Sequence, residues 1–126
     1  MKKILCIILL LMLALVVSGC TGQRTTPPAT TAPTGEIKEF EITAKQFSFE
    51  PNVITVNKGD RVKLKITSVD VTHGFSINEF GVTQNLEPGK TATVEFVADK
   101  SGTFPFYCSV VCGSGHSGMR GQLVVK

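Results

Sequence analysis

Five side chains with soft or borderline donor atoms are spaced closely enough to meet at one small site. Near the C-terminus the chain reads Cys108-Ser109-Val110-Val111-Cys112-Gly113-Ser114-Gly115-His116-Ser117-Gly118-Met119, which reduces to Cys-x3-Cys-x3-His-x2-Met. The only other histidine is His73, in Val71-Thr72-His73. Thiolate and thioether donors favour copper, and imidazole suits copper or zinc. A loop with a donor every three or four residues can wrap one small centre. His73 would join it from a distant strand and clip two parts of the fold together.

The residues alone leave other chemistries open. Cys108 and Cys112 could form a structural disulfide in an oxidising compartment. Two cysteines and two histidines could hold zinc, which would leave Met119 unused. A mononuclear blue-copper site takes one Cys, two His and a weak axial Met, and would leave one cysteine without a role. Hydrolytic catalysis by a Ser/His/Asp set is not expected, because both histidines already belong to the metal-ligating group.

The elements that must position these donors read as short strands. Arg61-Val62-Lys63-Leu64-Lys65-Ile66 alternates charged and apolar residues with period two. Thr91-Ala92-Thr93-Val94-Glu95-Phe96 does the same, and Phe104–Tyr107 and Gly121–Val125 close the chain. Asn57-Lys58-Gly59-Asp60, Glu87-Pro88-Gly89-Lys90 and Asp99-Lys100-Ser101-Gly102 are turn signals between them. No segment has a long helical period. The pattern predicts an all-β sandwich of seven or eight strands over residues 36–126, with Phe47, Phe49, Val62, Leu64, Ile66, Val94 and Phe96 in the core.

Upstream lies a different kind of sequence. Lys2 and Lys3 precede an unbroken apolar run of 14 residues, Ile4 to Val17, which includes Cys6. The run is shorter than the roughly 20 residues of a membrane-spanning helix and fits the apolar part of a secretory signal peptide. It ends in Leu15-Val16-Val17-Ser18-Gly19-Cys20, which resembles the bacterial lipobox. The expectation is a signal peptide over residues 1–19 and a lipidated Cys20 that anchors the chain to a membrane without spanning it. Residues 20–35, rich in Thr and Pro, are expected to be an extended tether.

Charge narrows the partners. The whole chain carries a formal net charge of +3, yet residues 36–126 balance to zero, with every acidic residue between Glu36 and Asp99. No basic stripe points to nucleic acid.

The constellation His73, Cys108, Cys112, His116 and Met119 resembles the CuA domain of heme–copper oxidase subunit II, a family of cupredoxin fold whose site also occurs in nitrous oxide reductase. The resemblance rests on Val-x-His, a gap of 34 residues to Cys108, and the Cys-x3-Cys-x3-His-x2-Met loop. It extends through Phe80-Gly81-Val82, Glu87-Pro88-Gly89 and the strand from Gly121 to Val125, and so covers residues 37–126. It implies a Greek-key β-sandwich and two copper ions bridged by the Cys108 and Cys112 thiolates. His73 and Met119 would complete one ion, and His116 with the backbone carbonyl of Val110 the other. It implies an electron carrier and not an enzyme, working outside the cytoplasm at the membrane. Its partner would be a cytochrome c or a membrane oxidase or reductase. A copper chaperone or storage protein is the alternative function.

The sequence departs from that family at three places. Val110 stands where many members have a Glu that contributes to a magnesium site. No Trp is present, including the one through which electrons arrive from cytochrome c in many members. A lipoprotein-like leader stands in place of transmembrane helices.

Overall fold

Alternation along one strand sets the architecture. In β4 (Arg61–Ser68) Val62, Leu64, Ile66 and Ser68 are buried, while the residues between them are exposed or half-buried. A strand with one apolar face must bury that face against a second layer. The chain does so with two sheets. The computed structural model describes residues 35–126, so the signal peptide expected over 1–19, Cys6, Cys20 and nearly all of the 20–35 tether lie outside the described residues.

Within the described residues there are nine strands: β1 (Ile37–Lys45), β2 (Ser48–Glu50), β3 (Val53–Val56), β4, β5 (His73–Ile77), β6 (Val82–Leu86), β7 (Thr91–Val97), β8 (Gly102–Tyr107) and β9 (Arg120–Val125). One sheet runs β2-β1-β4-β7 and the other β3-β9-β8-β5-β6. The pairs β1–β4 and β3–β9 are parallel, and the remaining pairs are antiparallel. The number exceeds the expected seven or eight because the stretch after Phe47 holds two strands. β2 has three residues at the edge of the first sheet, and β3 pairs with β9 in the second. A three-residue strand is too short to show period-two alternation.

The core lies between the sheets. Phe49, Val62, Leu64, Ile66 and Phe96 are buried as the sequence predicts. Phe47 and Val94 are only partly buried against that core. Phe49, Phe75 and Phe106 form a triangle with ring centroids 5.2–5.6 Å apart. β5 is buried at every position, because it lies between β6 and β8 in the second sheet and against the core. That strand begins with His73, so the first expected ligand stands on a fixed element.

Candidate metal centre

The loop 108–119 joins β8 to β9, two neighbouring antiparallel strands. The Cys108 N–H donates to the Met119 carbonyl (3.0 Å) and closes the loop at its neck. Inside it, His116 N–H donates to the Gly113 carbonyl and Gly118 N–H to that of Gly115. These turns bring donors distant along the loop to one side. Gly74, next to His73, forms part of the floor: a Cβ there would stand 2.2 Å from Ser109 Oγ and 2.9 Å from the Val110 nitrogen. The Gly74 N–H points at Cys108 Sγ at 3.5 Å.

All six sequence-predicted positions converge. Cys108 Sγ and Cys112 Sγ are 3.8 Å apart. Cys108 Sγ lies 3.9 Å from His73 Nδ1 and 3.0 Å from the Val110 carbonyl oxygen. Cys112 Sγ lies 3.9 Å from His116 Nδ1 and 3.8 Å from Met119 Sδ. Cys108, Cys112 and Met119 are buried, His73 is fully buried, and His116 is half-buried. The thiols are free, and their separation is far beyond a disulfide bond of about 2.05 Å. Among the described residues, the donor atoms of His73, Cys108 and Cys112 all lie within 4.8 Å of one another, and His116 falls outside that cluster.

The donor set fits a thiophilic metal. Two thiolates bonded at about 2.3 Å to a common metal can stand 3.8 Å apart. His73 Nε2 is 2.7 Å from Asp70 Oδ1. The carboxylate accepts a hydrogen bond from Nε2–H, so the lone pair of Nδ1 is left to face Cys108. Burial raises the Asp70 pKa, but hydrogen bonds from Gln46 N–H, the His73 ring and Val71 N–H outweigh it and hold the carboxyl below its usual range. Burial, with the neighbouring Cys108, pushes the Cys112 thiol up to about 11. The Cys112 thiol therefore stays protonated near neutrality, and a bound cation would have to displace its proton.

Sequence reasoning did not find the outer layer. Asp70 sits three residues before His73, a spacing that could have drawn attention. Gln46, whose Nε2 donates to the Cys112 carbonyl, had no sequence signal, being 66 residues away. Phe47, expected in the core, is only partly buried against it and lies over the loop glycines. A Cβ at Gly115 would stand 2.3 Å from its ring.

A family model for the cupredoxin-like domain matches residues 6–125. Cytochrome c oxidase subunit 2 of Thermus thermophilus is 36% identical over 85 residues, covering 68% of this chain and 63% of that protein. Nitrous-oxide reductase of Cupriavidus necator is 38% identical over 90 residues, 68% of this chain but only 14% of the enzyme. The chain therefore spans less than two thirds of either relative. Among solved structures, the periplasmic domain of subunit II of cytochrome oxidase of Bradyrhizobium japonicum superposes with a TM-score of 0.65 at 24% identity, over 70% of this chain and 83% of that domain. By sequence and by fold, the chain belongs to the cupredoxin-like domain family and is homologous to subunit 2 of cytochrome c oxidase.

Proposed function

We propose that this chain is an extracytoplasmic electron-transfer protein with a binuclear copper centre of the CuA type. The observation that carries the reading is the pair of buried sulfurs 3.8 Å apart with a different histidine beside each. His73 clusters tightly with both sulfurs, whereas His116 approaches Cys112 from outside that cluster. Two metal positions accommodate that division better than one four-coordinate ion does. Cys108 and Cys112 would bridge the two ions. His73 and Met119 would complete one ion, and His116 with the Val110 carbonyl the other.

When bound, the copper pair supplies a reversible one-electron couple. The chain's own residues would keep that couple from rearranging. β5 fixes His73, Asp70 fixes its ring, and the neck bond between Cys108 and Met119 fixes the ends of the loop. Preorganised ligands lower the cost of changing charge, which suits an electron carrier more than a protein that must hand its metal on. Every donor is used in holding metal, so the reading assigns no substrate position and no catalysis. The apolar leader read in the sequence supports a position outside the cytoplasm, where Cys20 would be the lipid anchor. The redox partner would be a cytochrome c or a membrane oxidase or reductase.

A reductive titration tests the function directly. The copper-loaded protein should take up one electron for every two coppers, return it to a mild oxidant, and retain its copper against a Cu(I) chelator throughout. Loss of copper to the chelator on reduction would replace this reading with a copper chaperone or store.

A further inference from the structure

Two halves of the centre come from segments far apart in the chain, and one residue touches the support of both. Gln46 follows β1 in the turn before β2, on the sheet opposite β5, β8 and β9. Its backbone N–H donates to Asp70 Oδ2 at 2.7 Å. The other oxygen of the same carboxylate, Oδ1, accepts from His73 Nε2 at 2.7 Å. The Gln46 side chain turns the other way, and its Nε2 donates to the Cys112 carbonyl. A Cβ on Gly113, the residue after Cys112, would stand 2.9 Å from Gln46 Nε2, so the amide lies close against the loop backbone.

We propose that Gln46 is a positioning residue that locks the Cys112–His116 part of the loop to the His73–Asp70 pair, so that the two parts of the metal site keep one spacing. The inference rests on the metal-centre reading only for its copper arm. The chain of contacts runs from His73 through Asp70 and the Gln46 backbone to the Gln46 side chain and Cys112. Asp70 has a further tie to the chain, the Val71 N–H, which holds its Oδ1 at 2.6 Å. The loop residues from Cys112 to Ser117 include no charged group, so no ion pair anchors this stretch of the loop. The Gln46 amide is therefore well placed to govern the loop's order. Gln46→Glu keeps the shape but cannot donate to a carbonyl, and Gln46→Ala removes the group altogether.

The test uses the full chain with both variants and two readouts. In the metal-free protein, amide hydrogen exchange at His116, Gly118 and Met119 should speed up by about tenfold in both variants, the size set by one hydrogen bond. Exchange in β4 and β9 should stay unchanged. In the copper-loaded protein, release to a chelator should accelerate by a similar factor, with a shift in the thiolate-to-copper absorption. Unchanged loop exchange, or acceleration spread evenly through β4 and β9, would overturn the positioning role. Failure of the unaltered chain to hold copper would instead count against the proposed function and leave the exchange result to decide on Gln46.

Discussion

His73 has one nitrogen to offer a metal, because Asp70 occupies the other. The Cys112 sulfur beside it is harder to prepare, since burial and the neighbouring Cys108 push its thiol up to about 11. Copper uptake near neutral pH should release the Cys112 proton, measurable in weakly buffered solution. The same chemistry sets a pH window for stability. The Cys112 pKa is raised on folding, so the folded metal-free chain binds more protons than the unfolded one between about 9 and about 11. Its contribution is complete below the unfolded value and is lost as pH rises through the folded one. Denaturant midpoints of the metal-free protein should fall across that range, while those of the copper-loaded protein, already without thiol protons, should not share the loss. Cys108→Ser should lower copper affinity by more than the roughly 100-fold typical of losing an outer partner. Competition against a chelator would show it, and an unchanged affinity would remove Cys108 from the ligand set.

Elements, more than single ligands, decide whether the donors meet. β5 carries His73 into the buried second sheet, and Gly74 lets the loop lie against that strand. Gly74→Ala would set a Cβ 2.9 Å from the Val110 nitrogen, which the backbone cannot yield without moving the loop. We expect about 1–3 kcal/mol of destabilisation, the usual range for overpacking, read by denaturant titration. The loop's donors were legible in the sequence because Cys108, Cys112, His116 and Met119 lie within one short stretch and carry their spacing with them. The strand β4 was legible because Val62, Leu64 and Ile66 repeat with the period of a one-sided strand. Gln46 was not, since its contacts span 24 and 66 residues and depend on how the sheets stack, whereas Asp70 stands three residues before His73 and showed only in that spacing. Phe47 misled for a related reason: an aromatic residue two before Phe49 fits a strand's inner face, yet its ring covers Gly113 and Gly115. β2 escaped notice because three residues carry too little pattern.

At the scale of the molecule, the sandwich is the frame that carries the proposed metal centre. Phe75 is fully buried and touches both Phe49 and Phe106. Phe75→Ala should cost about 3–5 kcal/mol, the range for emptying a buried phenylalanine. Because Phe75 lies two residues from His73, copper retention should fall with stability. Copper itself should stabilise the frame by mass action, by about 4 kcal/mol at a thousandfold excess over the dissociation constant. For a domain of this size that raises the melting temperature by roughly 20 °C, so removing copper should lower it as much. Copper stoichiometry of the loaded chain, together with its optical and EPR spectra, decides between two metal positions and one. Two coppers per chain, a purple multi-band spectrum, and a hyperfine pattern from an electron shared by two equivalent copper nuclei are expected. One copper with a single intense blue band would contradict that expectation and place the chain with the mononuclear copper proteins.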